Sequence, residues 1–421
     1  MFLMDRRILF VADTMPGSLE DGGYNGGGWI GALLRLAPRL TGCFALAGLY
    51  DIDGVRKETK GGAALYKLPR PRESALDKIR KYYLGKETDT GSLAKDLRWV
   101  MEDFKPELVY LFGLENRVSD VTLNVSVAPV AVHLQGLLGP ISKAYFPTGM
   151  SEKTFLKHFS VREHVLRNGY VYGYREMCRR AVREGDLIRK ADYFMGRTEF
   201  DRSVVLAAHP RARYFKVNEL LRDVFYAHAG AAQYRDRSRL KIVSTLSDTV
   251  YKGLDLVLKT AALLHSRMEI EWQIIGLDAD ARLAGIFERE LGVRAEQAGV
   301  RFLGVCDAEK VCRTLLDADV YVHPSYIDNS PNSVCEAQML GVLVIATEVG
   351  GVGSLIEDGV NGLLVPPGDA QALADALRRL SEDLTLRERL GRSGAAASAA
   401  RHDPDAVLSS LQNVLQCIFS S

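Results

Sequence analysis

Asp328 and Glu336 are separated by seven intervening residues in HPSYIDNSPNSVCEAQMLGVLVIATEVGG, between a short apolar run and a second one, VLVIAT. Asp328 falls in a loop. From Ser333 onward the pattern predicts a helix whose first turn offers free amides and the Ser330 and Ser333 hydroxyls, with Glu336 projecting from that turn. Amides at a helix N-terminus attract anions, and carboxylates accept hydrogen bonds from vicinal hydroxyls. Side by side they suit a nucleotide sugar, the amides taking the phosphates and the carboxylates the vicinal hydroxyls.

Three further places carry groups that can do chemistry. In TLSDTVYKGLD, Lys252 and Gly253 follow a strand and open a helix, setting an ammonium beside amide donors where it can neutralise a departing diphosphate. DGGYNGGG, Asp21 to Gly28, is a glycine loop between the first strand and the helix starting near Trp29, and its bare backbone lets a ligand approach closely. His133 ends a strand in APVAVHLQG, with Gln135 as the neighbouring candidate. Strand ends matter because ligands of doubly wound sheets bind at the carboxyl ends of the strands.

These positions need a scaffold of alternating strands and helices, and the sequence supplies it twice. RRILFVAD, CFALAGLY, ELVYLFGL, APVAVHLQG and Ala191 to Met195 read as strands, with WIGALLRLAPRL as a helix, which implies a parallel sheet covered on both faces. After HPRARYFKVNELLRDVFY the alternation restarts with LKIVSTL, the helix LDLVLKTAALLHS, and then WQIIGL, VRFLGV, DVYVHPS, VLVIAT and GLLVPP. The boundary lies near Val217 to Arg239, where polar and small residues show no strand period. The expected architecture is α/β with two Rossmann-like domains, 1–216 and 217–400, and a terminal helix in 401–421 that packs back on the N-terminal domain.

Composition agrees with two packed cores. A chain of 421 residues exceeds what one core supports, and 47% hydrophobic with 25% charged residues is the make-up of a globular protein. A net charge of +1 gives no footprint for nucleic acid. The six cysteines show no metal spacing and read as free thiols of a reducing compartment. No apolar stretch approaches the ~18 residues of a membrane span, and a cytoplasmic protein is expected. The basic, tyrosine-rich stretch 153–190 can set apolar and cationic faces on opposite sides of a helix, a candidate for peripheral contact with the inner face of a membrane or for an anionic acceptor.

At the Asp328 to Glu336 block the sequence resembles glycosyltransferase family 4 of the GT-B fold. HPS, Glu336-Ala337, Gly341, the VIAT strand, Gly350-Gly351 and EDGVNGLLVPPGD follow that family's order and spacing, strongly over Leu240 to Asp369 and only in pattern before it. The resemblance implies a retaining, metal-independent transfer of a sugar from a UDP- or GDP-linked donor to a saccharide or lipid-linked acceptor, with no other cofactor, in bacterial polysaccharide or glycolipid assembly. It implies that the sheets face each other across a cleft holding the donor. Glu336 would bind the ribose hydroxyls and Asp328 the transferred sugar. Lys252 and the amides of Ser330, Asn332, Ser333 and Val334 would hold the diphosphate, the base would lie near Phe302, and Gly27 and Gly28 would border the phosphate from the other domain. His133 would approach the reacting sugar.

Three positions depart from the family. Its first glutamate is Asp328, one methylene shorter; an arginine that usually precedes the lysine is replaced by Ser247 or a neighbour; and the acid after the GG loop is Ser354. The missing cation matters most, because charge developing on a diphosphate needs donors already in place. Arg197 and Arg222 are the candidates to replace it. A nucleotide-sugar epimerase of the same architecture, or a non-catalytic nucleotide-sugar binding protein, are the alternative functions.

Overall fold

The computed structural model describes residues 3–15, 27–60, 62–72, 90–265 and 267–421. Two sheets organise them. The N-terminal sheet is built from β1 (Arg7–Ala12), β2 (Cys43–Tyr50), β3 (Arg56–Lys60), β4 (Ala63–Pro69), β5 (Leu108–Phe112), β6 (Val130–His133), β7 (Tyr193–Gly196) and β8 (Arg213–Lys216) in the order β3-β4-β2-β1-β5-β6-β7-β8. Only β3 and β4 pair antiparallel among these strands. The C-terminal sheet, wholly parallel, runs β11 (Val300–Gly304), β10 (Ile270–Ile275), β9 (Leu240–Thr245), β12 (Val320–His323), β13 (Leu343–Thr347) and β14 (Leu363–Val365).

Central strands such as β5 and β13 are buried at every residue, which is why they read as unbroken apolar runs: both faces of a parallel sheet are covered by helices. Four helices of the C-terminal half start on an aspartate, Asp307, Asp369, Asp383 or Asp403, whose carboxylate accepts an amide of the first turn. Each such cap contributes about 1 kcal/mol and fixes where the helix leaves its loop. β3, β4 and β8 were not anticipated, because the charged RKETK and the half-exposed RYFK lack an apolar period. The segment expected as one helix after Trp29 is two, Gly27–Leu34 and Ala37–Leu40, with Pro38 in the first turn of the second.

The chain passes between cores within one peptide bond: Val217 and Leu220 pack in the N-terminal core, Leu221 and Phe225 in the C-terminal one. It returns near His402, after which the helix Pro404–Phe419 packs Val407, Leu411, Val414 and Leu415 against the N-terminal sheet.

A third connection bridges the halves. Stretch 153–190 is not one amphipathic helix but three, Glu152–Leu156, Val161–Leu166 and Tyr170–Lys190, because Arg167 and Gly169 take positive φ and end the second helix before the third begins. Tyr145, Phe155 and Val171 join the C-terminal core, with Phe155 edge-on to Phe287 at 5.9 Å. The far end of the same long helix puts Leu187 and Ile188 into the N-terminal core. At 21 residues it spans about 30 Å and acts as a strut between the domains.

Candidate active site

The site lies where the carboxyl ends of the C-terminal strands meet the N-terminal domain. β12 ends on His323, and the chain then turns through Asp328 to the helix Asn332–Leu340. Lys252 reaches the same place from the 3-10 turn Val250–Lys252. Gly253, next in sequence, has φ 82°, and a Cβ there would stand 2.0 Å from the Pro324 carbonyl oxygen, so only glycine lets the lysine turn pack on the loop. Lys252 Nζ donates to Asp328 Oδ2 at 2.6 Å, and His323 Nε2 lies 3.2 Å from the same oxygen.

Burial disfavours charge on both members of this pair, but each overcomes it for the other. Asp328 is held well below the usual carboxylate range by Lys252 and His323, and Lys252 is held above the usual lysine value by Asp328. His323 goes the other way: burial outweighs the neighbouring carboxylate and keeps the imidazole neutral.

Glu336, 5% exposed, faces Arg222, whose Nε and Nη2 donate to its two oxygens at 2.8 Å each. Burial raises the Glu336 pKa and the guanidinium only partly counters it. A carboxylate held by one fork keeps lone pairs for two further donors, as a vicinal diol requires. Arg222, a candidate for the missing phosphate cation, is thereby committed to Glu336.

Both pairs open onto one cavity of about 620 Å³, a size that suits a nucleotide-sized ligand. Gly28, Trp29, Gln135 and Arg197 line it from the N-terminal side, and Ser330, Asn332 and Ser333 from the other. Arg197 is buried, donates to the carbonyls of Leu134 and Gln135, and stands 4.9 Å from the centre of the Trp29 ring. Ser247, in the place of the family's arginine, also lines the cavity. Gly27 opens the helix Gly27–Leu34, and the rest of the glycine loop, Asp21 to Gly26, lies outside the described residues.

Three expected residues stand elsewhere. His133 is fully buried behind Trp29, at 4.8 Å between rings, with Tyr110 Oη 2.5 Å from its Nδ1. Burial and the Arg197 charge lower its pKa to about 3. Alternation along β6 turns this side chain into the N-terminal core. Alternation also removes Phe302, which packs on the core face of β11 and borders a separate open depression of about 860 Å³ beside exposed Arg239, Arg294 and Arg301. Gly276 and Cys306 occupy the corresponding end of the cleft instead. Val334 is buried and its amide donates to the Pro331 carbonyl at 3.0 Å, so it serves packing. The Asn332 and Ser333 amides precede it in the first turn.

The structure adds residues that motif reading passed over. Thr198 Oγ1 donates to Asn329 Oδ1 at 2.8 Å, Asn329 Nδ2 donates to Asp201 Oδ2 at 3.0 Å, and Ser330 Oγ donates to Glu219 Oε1 at 2.7 Å. His323 and Asn329 lay inside the quoted motif without a role; Glu219 had no sequence signal.

Residues 237–383 match the family model described as glycosyl transferases group 1. The chain has the GT-B fold, and over residues 237–383 it is similar to group 1 glycosyl transferases. The amylovoran biosynthesis glycosyltransferase AmsK of Erwinia amylovora is 34% identical over 152 residues, covering 34% of this chain and 36% of that protein. A D-inositol 3-phosphate glycosyltransferase of Arthrobacter sp. (strain FB24) is 36% identical over 149 residues, covering 34% and 35%. The matched segments thus span about a third of the length of these curated relatives. The fold extends over the whole chain: sucrose-phosphate synthase from Thermosynechococcus elongatus superposes with a TM-score of 0.71 at 17% identity, covering 99% of both chains. Anabaena HepE in complex with UDP-glucose gives 0.64 at 16%, covering 99% and 100%.

On the N-terminal wall the loop after Gln135 rests on a buried carboxylate. Glu184, 2% exposed, accepts the Leu138 and Gly139 amides at 3.0 Å each. Burial raises its pKa to about 7 against the lowering effect of those amides; Glu115 raises it further and Arg180 lowers it. Between the ordinary carboxylate value and about 7 the folded protein therefore keeps a proton that the unfolded chain has released, and stability falls as pH rises through that window. Comparing wild type with Glu184→Gln by chemical denaturation from pH 4 to 8 is expected to show a difference that changes by up to about 3 kcal/mol across the window and is flat above it. A constant difference would contradict the assignment.

Proposed function

We propose that this protein is a retaining, metal-independent glycosyltransferase that moves a sugar from a UDP- or GDP-linked donor to a hydroxyl of a saccharide or lipid-linked acceptor, in bacterial polysaccharide or glycolipid assembly. The observation that carries this reading is the placement of two paired acids, Asp328 with Lys252 and Glu336 with Arg222, on one interdomain cavity. The group 1 family match and the amylovoran biosynthesis in the name of AmsK support it, as does the UDP-glucose in the HepE complex.

Glu336, kept in place by Arg222, accepts the ribose hydroxyls. The diphosphate takes the Asn332 and Ser333 amides and the Lys252 ammonium, which the Asp328 carboxylate keeps charged and within reach. Asp328, its negative charge fixed, accepts a hydroxyl of the transferred sugar. The acceptor oxygen bonds to the anomeric carbon on the face the diphosphate leaves, the bond to the phosphate oxygen breaks, and the acceptor proton passes to that oxygen. No general base is required, so the protein's contribution is positioning and charge stabilisation. Arg197, buried on the opposite wall, adds positive potential in place of the absent family arginine.

Incubating the protein with UDP- and GDP-sugars tests the reading. Slow release of free nucleotide, accelerated by an acceptor and giving product of unchanged anomeric configuration, is expected; interconverted nucleotide sugars would indicate an epimerase, and tight binding without turnover a sensor. Lys252→Ala is expected to lower kcat more than tenfold with little change in donor KM, because the charge it meets grows in the transition state. An increase confined to KM would make Lys252 a ground-state binding residue.

Peripheral membrane contact belongs to the same proposal. No helix among the described residues is long and apolar enough to cross a membrane. The helix Val161–Leu166 buries none of its residues, exposing Val161, Val165 and Leu166 beside Lys157 and Arg162. Such a face suits an anionic lipid surface. Flotation with phosphatidylglycerol vesicles is expected, and Val165→Asp with Leu166→Asp is expected to abolish it; equal flotation of the variant would remove this contact from the account.

A further inference from the structure

Asp328, Asn329 and Ser330 are consecutive, yet each is fastened to a different body. Asp328 is held by Lys252 of the C-terminal domain. Asn329, 6% exposed, accepts the Thr198 hydroxyl on its carboxamide oxygen and donates its carboxamide nitrogen to Asp201, both at the start of the N-terminal helix Glu199–Ala208. Ser330 donates to Glu219, which sits in the crossing between the domains. A carboxamide that satisfies both ends across a domain boundary fixes relative position as well as contact.

The surrounding backbone presses the loop into the same arrangement. A Cβ at Gly350 would stand 2.0 Å from the Asp328 carbonyl oxygen, and one at Gly351 2.0 Å from that of Asn329 and 2.7 Å from Thr198 Oγ1. The Gly351 amide donates to the Asp328 carbonyl at 3.0 Å. Glu219 is fully buried and lies where both crossings meet: His402 Nδ1 donates to its carbonyl at 2.8 Å, and Arg401 Nη2 donates to the Arg197 carbonyl at 2.7 Å. Glu219, Cys335 and His402 stand close enough to share a cation, but Arg197 and Arg401 already supply positive charge to Glu219, burial keeps the His402 imidazole neutral, and burial keeps the Cys335 thiol protonated. The hub suits a fixed anion that accepts hydrogen bonds better than a metal.

We propose that Asn329, Ser330 and Glu219 are positioning residues that make the donor loop a shared part of both domains, so that the N-terminal domain and the crossing set where Asp328 and the first-turn amides of the helix Asn332–Leu340 stand. This rests on the functional reading above. The strut Tyr170–Lys190, anchored in both cores, gives the loop two bodies of defined separation to span. Its consequence is a split in the kinetics: ribose binding at Glu336 and the Lys252 contact to the diphosphate lie beyond the latch and keep most of the nucleotide affinity, whereas the placing of the transferred sugar at Asp328 depends on it.

The test compares Asn329→Ala, Ser330→Ala and Ser330→Thr, which keeps the hydroxyl. In nucleotide-free protein, hydrogen exchange of residues 326–334 is expected to speed up about tenfold in the two alanine variants while β12 and β13 stay protected, and to remain near wild type in Ser330→Thr. With donor, kcat is expected to fall about tenfold or more while nucleoside diphosphate affinity by calorimetry stays within about threefold, and the double alanine variant to lose little more than the worse single one. Unchanged exchange in both alanine variants, or equal loss in Ser330→Thr and Ser330→Ala, overturns the latch. Should wild type bind no nucleoside diphosphate, the functional reading fails and the exchange comparison still decides the latch.

Discussion

The short run Asp328-Asn329-Ser330 is the constraint on which the site depends. It has no regular structure of its own, and its geometry comes from side chains tied to three separate parts of the fold. Both domains, the crossing at Glu219 and the glycines at 350 and 351 meet this run beside the Asp328 to Lys252 pair. Buried polar links of this kind add modest net stability, but leaving one end unmade is costly, which favours one loop position over its neighbours.

Charge is distributed around the cavity by pairing. Asp328 holds Lys252 and Arg222 holds Glu336, so both of these cations of the C-terminal wall are paired. In the proposed reading a diphosphate entering this cavity would meet an ammonium already charged and oriented, with Arg197 lining the opposite wall beside Trp29. Preorganised charge of this sort stabilises developing charge without reorganisation.

The parallel alternation was legible because buried strands are written as apolar runs, and Lys252, Asp328 and Glu336 were legible because their motif is local. What stayed hidden is non-local or depends on which way a side chain turns. The Arg222 to Glu336 pair joins residues 114 positions apart, and Glu219 meets Ser330 across 111. His133 and Phe302 were misplaced by strand alternation, which a motif does not report. The basic stretch looked like one amphipathic helix because periodicity does not register the left-handed turn at Arg167 and Gly169. RKETK escaped notice as a strand because an edge strand bristling with charge is guarded against pairing and carries no apolar signal.

The central claim is that the two paired acids form a nucleotide-sugar cradle, and a crystal structure with a nucleoside diphosphate bound tests it most directly. The account predicts the diphosphate between Lys252 Nζ and the amides of Asn332 and Ser333, with the ribose hydroxyls on Glu336 while Arg222 keeps its fork. A nucleotide bound outside this cleft, or one inside it whose ribose leaves Glu336 untouched, would contradict it.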